Sequence, residues 1–301
     1  MCVAARRSFR RVRIIPFPAA LAAIEAMMSD TVPANRRRRK FLDIRKPISK
    51  RQAVISAIAI WAVFFGIWAG AAASGMVNEL LVPAPQKVLV TLYELFAERG
   101  FASDVLISIL RVLVAFLAAS AVAIPLGIMM GSFPAIEGIV NPFVSAWRYL
   151  PAPSFIPVLL MWFGTGEAPK LALLFIGVVF FLITLVMDHT KNVRNELIET
   201  ALTLGAGRGT IVRSVILPAV LPNIVVAMRQ MLAVTWTYLV IAEIVASTTG
   251  IGAMMMRARR FLHTDEIMAG IIVIGALGLL FDILFARLHK RLFPYLQEKG
   301  R

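Results

Sequence analysis

Long apolar runs alternate along the chain with short polar stretches, and the runs exceed what the core of a water-soluble fold uses. A hydrocarbon layer about 30 Å thick takes roughly 20 helical residues to cross. By that measure six spans are expected, at residues 53–74, 105–130, 136–162, 171–187, 224–247 and 267–286. The third contains Pro142, Pro151, Pro153 and Pro157, each of which lacks a backbone donor, so its helix is expected to break. Between the first two spans, VPAPQKVLVTLYELFAERG opens with two prolines and then repeats Val88, Leu92, Leu95 and Phe96 at helical spacing. That pattern predicts an interfacial helix.

The most informative polar stretch is ELIETALTLGAGRGTIVRSVILPAVLP, residues 196–222. Leu197, Ile198, Ala201, Leu202 and Leu204 fall on one helical face, with Glu196, Glu199, Thr200 and Thr203 on the other, which predicts a short amphipathic helix. Gly205, Gly207 and Gly209 then allow a sharp turn. A second helical piece is expected from about Thr210 to Leu217, punctuated at its far end by Pro218 and Pro222.

The order Glu199, Thr200, Ala201, three residues, Gly205, nine residues, Val215, one residue, Leu217, Pro218 resembles the cytoplasmic signature of ATP-binding-cassette importer permeases. Thr200 stands where that signature has Ala and Val215 where it has Ile, with every gap kept. Residues 82–292 resemble the branch that imports nitrate, taurine, alkanesulfonates and bicarbonate. LVPAPQKVL at 81–89, RYLPAPSFIPVLLMWFGTG at 148–166, Glu243, and Gly250, Ile251 and Gly252 carry that closer likeness. The resemblance implies a helix-turn-helix knob that docks into a cleft on a separate ATPase and passes its closure to the membrane helices. It also implies an extracytoplasmic substrate-binding protein and two copies of the ATPase.

Composition agrees with a membrane chain. The 301 residues are 59% hydrophobic and 16% charged, with a mean hydropathy of +0.80, against roughly 45–50% and 25% in soluble domains. The net charge of +15 is unevenly spread: of 32 Lys and Arg, 14 lie in residues 1–52, four in 191–213 and five from Arg287 onward. The positive-inside rule then puts both termini and the Glu199 stretch in the cytoplasm, and the resemblance implies a bacterial inner membrane. The basic tail is expected to lie on anionic lipid rather than nucleic acid. Residues 6–24 mimic a signal peptide, but cleavage there would strand Arg36–Lys40 outside; a start at Met28 is an alternative. No GxxxxGK[ST] motif occurs, so ATP hydrolysis is expected on another chain. Cys2 is the single cysteine and His189, His263 and His289 are scattered, so neither metal nor cofactor is expected.

Charges inside the spans are costly unless they face protein or water. Arg111 and Asp282 lie toward span ends, where snorkelling would satisfy them, and Arg229 toward the cytoplasmic end. Arg148 sits mid-span between Trp147 and Tyr149, just before Pro151 and Pro153. Broken helices at membrane depth are tolerated where they line a cavity or are buried in protein. Two readings stay open: Arg148 offers a positive field to a small anion, or it pairs with Glu243 to lock two spans. Trp147, Tyr149, Trp236, Tyr238 and Glu243 are the other candidate path residues. Arg257, Arg259 and Arg260 lie in an outer loop, 248–266, as a contact for an acidic surface of a binding protein, as gatherers of anions, or as solvated, lipid-facing charges.

The chain is therefore expected to be an all-α, six-helix permease without catalytic residues. A basic cytoplasmic tail at 1–52 precedes a membrane domain at 53–292, with its coupling loop at 190–222, and a short tail at 293–301 follows. A homodimer would hold the path for a small anion at its two-fold interface. A self-contained secondary transporter or channel is the alternative.

Overall fold

The computed structural model describes residues 48–75 and 77–296, which form helices and turns with no strand among them. The expectations for the basic tail through residue 47, the signal-like stretch, Cys2, Met28 and residues 297–301 lie outside the described residues. Helix α1, Lys50–Ala73, carries the boundary between two units of the chain, residues 1–63 and 64–301. Ser49 starts it: Gln52 N–H donates to the Ser49 hydroxyl at 3.2 Å while Ser49 N–H donates to Gln52 Oε1 at 3.3 Å. This reciprocal pair satisfies donors that a helix start leaves open.

Beyond α1, helix α2 (Pro85–Ala97) forms where the spacing predicts a helix, burying Val88, Thr91 and Leu95. Helix α3 (Phe101–Ser132) and helix α6 (Ala168–Lys191) form the centre of the bundle. Gly127 lies against Val186 and the Ile183 carbonyl, and Gly131 against Thr190 and the Met187 carbonyl. The GxxxG pair of α3 thus packs within the chain, letting two backbones approach closely. Around this contact Val112, Phe116, Leu174, Val178, Leu182 and Val186 form the buried core.

The same contacts fix direction. Gly127 meets residues 183–186, Gly131 meets 187–190, and at the other end Arg111 reaches Glu167. Both helices advance together, so α3 and α6 run parallel. Residues 133–167 must therefore travel back along the whole length of α6, whose 24 residues span about 36 Å. They do so in pieces: helix α4 (Pro134–Arg148), a 3₁₀ turn at Ala152–Phe155 and helix α5 (Ile156–Phe163). At about 1.5 Å per α-residue and 2 Å per 3₁₀-residue these reach roughly 42 Å. This interrupted return is the third crossing, alongside five long apolar helices.

After α6 come α7 (Asn195–Thr203), α8 (Arg208–Ile211), a π turn at Val212–Ile216 and α9 (Leu217–Ala246). Pro218 and Pro222 were expected to end the helix after the glycine turn. Instead the helical path runs on from Arg208 to Ala246. The π turn just before Pro218 supplies the reason: widening one turn relieves the clash between a proline ring and the carbonyl four residues earlier. The expected outer loop is also largely helical, as α10 (Ile251–Arg260), followed by α11 (Thr264–Leu292). Tyr238 of α9 packs over Gly177 of α6, where an added Cβ would sit 2.5 Å from the ring.

A Gly131→Val substitution would bring Cβ to 2.5 Å from Thr190 Cβ and 2.7 Å from the Met187 carbonyl. Overpacking of this kind costs about 1–3 kcal/mol, or roughly 2–4 °C of melting temperature per kcal/mol. A thermal melt of the purified protein in detergent should show that loss. Gly138→Ala, with nothing within 4 Å, should melt like the parent.

Candidate functional site

Three features stand out, at one end of the bundle, at its mid-depth and at the other end.

The first is the α7 knob. Its helix ends in a Schellman motif: Ala206 N–H donates to the Ala201 carbonyl at 3.0 Å, Gly205 N–H to the Leu202 carbonyl at 2.9 Å, and Gly205 sits at φ +78°. That left-handed conformation is why glycine stands there. Nothing in α7 is buried, Leu204 is 82% exposed, and Leu197 and Leu202 are exposed too. Glu199 and Thr200 face solvent while Ala201 is half-buried. Val215 lies in the π turn and Leu217 and Pro218 open α9, so beyond the glycine turn at 204–207 the chain runs helically into a membrane helix.

The second is the mid-depth break. The Trp147 indole stacks between Phe155 and Phe180, with centroids 5.5 Å away on each side and interplanar angles of 13° and 26°. Phe180 lies twelve residues from the start of α6 and eleven from its end. The contact therefore pins the break halfway along α6. Arg148 follows directly, half-buried, with its guanidinium over the Tyr149 ring at 5.5 Å. No carboxylate pairs with it among the described residues, and Tyr149 is 78% exposed.

The third is a buried ionic cluster at the start of α6. Arg111, 3% exposed, donates from Nη1 to Glu243 at 2.7 Å and to the Thr249 carbonyl at 2.8 Å. From Nε and Nη2 it donates to the two oxygens of Glu167 at 2.6 and 2.7 Å. Glu243, fully buried, also accepts from the Ser108 hydroxyl at 2.7 Å and Gly252 N–H at 2.8 Å. Lys170, 4% exposed, donates to Glu167 at 2.7 Å and Ser247 at 3.2 Å. The glycines of the Gly250, Ile251, Gly252 stretch are explained here. A Cβ on Gly250, at φ +105°, would lie 2.3 Å from Glu243 Oε1, and one on Gly252 2.7 Å from Glu243 Cβ.

Several expectations are corrected by this cluster. Glu243 pairs with Arg111 rather than Arg148, because Arg111 and Glu243 meet at the same bundle end while Arg148 lies at mid-depth. Arg111 is buried in a network rather than snorkelling. Asp282 likewise does not snorkel: its two oxygens accept from Arg229 Nε and Nη2. Two expected path residues are not at a surface: Glu243 is enclosed, and Trp236 is 4% exposed against Phe281. Tyr238 is half-buried. Of the outer arginines, Arg257 is held by Asp104 at 2.9 Å and by the Thr248 carbonyl.

The comparisons with known proteins fit this geometry. Residues 123–294 match the family described as binding-protein-dependent transport system inner membrane component. The chain belongs to that family. Permeases of this kind include the taurine transport system permease protein TauC of Escherichia coli, to which the chain is 35% identical over 256 residues, covering 83% of this chain and 92% of that protein. A Bacillus subtilis protein named as an aliphatic sulfonates transport permease is 30% identical over 251 residues, covering 83% and 91%. In fold, the chain resembles an inward-facing MetNI methionine ABC transporter chain, with a TM-score of 0.56 at 20% identity over 64% of this chain and 94% of that one. The chain is an inner-membrane permease of the ATP-binding-cassette importer type, which sets aside a self-contained secondary transporter or channel. Family membership implies an ATPase and a binding protein as partners.

Sequence reasoning missed Glu167 and Lys170. Their spacing of three at the start of a span was a usable signal, since residues three apart share a helix face.

Glu167 precedes the α6 span, and its hydrogen bonds from Arg111, the largest cause, and from Lys170 hold its carboxyl down at about 2 from an ordinary 4.5. A carboxylate depressed in the fold stabilises it above the free value, and that contribution fades as pH drops from about 4.5 toward 2. In a low-anion buffer the parent should therefore melt above Glu167→Gln at pH 6, and the two melting temperatures should converge on acidification through that window. Because Glu167 is 56% exposed, screening keeps the difference modest. Glu243→Ala would leave a buried cation short of a partner, a change that costs about 3–5 kcal/mol. Its yield of folded protein by size-exclusion chromatography should collapse.

Proposed function

We propose that this permease conducts a small oxyanion, such as a sulfonate, taurine, nitrate or bicarbonate, past Arg148. The observation that carries the reading is a guanidinium at mid-depth with no carboxylate partner among the described residues. A lone charge at that depth costs several kcal/mol against lipid, so it belongs beside protein or a water-filled path. A cation next to a broken helix suits an anionic cargo. The names of the two curated relatives, which concern taurine and aliphatic sulfonates, favour the same class.

In this reading Tyr149 and Trp147 shape the path around Arg148, and a second copy of the chain covers the exposed apolar face of α4 and α5 that includes Ile139, Met161 and Trp162. Two copies of a separate ATPase engage the knobs at Glu199, Thr200, Ala201 and Gly205. ATPase closure moves each knob, and the unbroken path through Val215, Leu217 and Pro218 carries the motion into α9. Both termini face the cytoplasm, in line with the excess of Lys and Arg in 1–52, 191–213 and from Arg287 onward. The basic tail at 1–52, the membrane domain at 53–292 and the tail at 293–301 then divide the chain by role. An extracytoplasmic binding protein delivers cargo to the opposite end.

In proteoliposomes holding the whole complex, Arg148→Met should reduce sulfonate uptake at least about tenfold, a loss of roughly 1.4 kcal/mol in binding, with assembly and basal ATP hydrolysis intact. Loss of assembly together with uptake would make Arg148 a structural residue instead. Leu204→Glu should leave the permease folded, since the side chain is exposed, yet abolish co-purification with the ATPase. Unchanged co-purification would remove the knob from the interface.

A further inference from the structure

We propose that Arg111 and Lys170 form an oxyanion subsite at the bundle end remote from α7, and that Glu167 is a tethered carboxylate that fills it until a soluble monoanion displaces it. This rests on the oxyanion reading above and adds a place where the anion is held before it reaches mid-depth.

The contrast in burial is the starting point. Two cations are almost wholly enclosed, at 3% and 4% exposed, yet the carboxylate that satisfies both is 56% exposed. Glu243, the other acidic partner, is enclosed and held from four directions, by Arg111, Ser108, Gly252 and the packing around it. Glu167 has only the two cations. It hangs from the loop after Gly164 and Gly166, where nothing lies within 4 Å of either glycine's missing Cβ.

Remove the Glu167 carboxylate and the donors left behind have a defined shape. Arg111 keeps Glu243 and the Thr249 carbonyl on Nη1, and Thr249 Oγ1 at 3.0 Å on Nη2. Its Nε–H and Nη2–H edge becomes free, a planar pair of donors that matches two oxygens of one oxyanion. Lys170 Nζ adds a third donor and keeps Ser247. Three donors suit the three oxygens of a sulfonate or of nitrate. The charge agrees: Arg111 and Lys170 against Glu243 leave one net positive charge, which fits a monoanion.

The residues are also well placed for coupling. Glu167 lies in the short link between α5, the second half of the broken crossing, and α6. Displacing it unpins that link from Arg111 of α3 and from Lys170 of α6.

The test uses the full-length permease purified in detergent, with sodium ethanesulfonate as probe and sodium chloride at matched ionic strength as control. Glu167→Gln should gain a saturable rise in melting temperature with ethanesulfonate. If Glu167 fills the site nine-tenths of the time, half-saturation should fall roughly tenfold below the parent's, since apparent affinity scales with the open fraction. Adding Lys170→Met should remove the effect. A Glu167→Gln protein that is less stable and shows no saturable response makes Glu167 a fixed structural pin and overturns the proposal.

A second measurement keeps Glu167 in place. Gly166→Cys in a Cys2→Ser background has open space for its side chain, and ethanesulfonate should speed its labelling by a membrane-impermeant maleimide several-fold. An unchanged rate counts against displacement. Neither measurement needs the ATPase. Robust anion uptake by the complex with no response in either removes the subsite and leaves the transport reading standing, whereas saturable binding without uptake of any anion does the reverse.

Discussion

The close parallel packing of α3 on α6 is the contact on which the rest depends. Gly127 and Gly131 have no side chain to hold the helices apart, so α3 backbone lies against Ile183, Val186, Met187 and Thr190. Parallel neighbours in a membrane cannot be joined by a short turn. The chain must return through the layer, and here it returns as α4, a 3₁₀ turn and α5. The break in that return is thus inside the bilayer, where unpaired backbone groups are tolerated beside protein or water rather than lipid. Trp147, clamped between Phe155 and Phe180, fixes its depth.

Against that frame of packed helices the charges divide into two kinds. Arg111 and Arg229 are each matched to carboxylates on other elements, Arg111 to Glu243 and Glu167 and Arg229 to Asp282. These pairs tie α9 to α3 at one end and to α11 lower down. Arg148 stands apart, with the Tyr149 ring beneath its guanidinium and no carboxylate partner among the described residues. In a low-dielectric layer the difference is large, because a paired ion is a fastening and a lone ion is a demand for something to face it. The functional reading follows from that asymmetry more than from any single residue type.

At the far end the path of the chain is set by two backbone devices. The Schellman turn at Gly205 lets α7 fold back sharply, and the π turn at Val212–Ile216 lets the helix pass Pro218 without stopping. A proline pair that would ordinarily end a helix instead sits within a continuous helical path. Leu202 and Leu204, at the end of α7, stay exposed.

The sequence by itself determined the membrane class, the crossing count, the amphipathic α7 and the glycine that ends it, because each follows from local composition or from periodicity over a few turns. It also placed six charges inside the spans, Arg111, Arg148, Arg229, Glu137, Glu243 and Asp282, without saying which of them pair. Only the tertiary structure decided that Glu243 belongs to Arg111, 132 residues away, that Asp282 belongs to Arg229 and Glu137 to Lys191, and that Arg148 is left without a carboxylate among the described residues. Pairing partners are set by which helix ends share a depth and a side of the bundle, and that is fixed by the parallel register of α3 on α6. No window of sequence contains it. The same holds for Trp236, whose amphipathic ring left open whether it faced a path or the core until Phe281 of α11 closed over it.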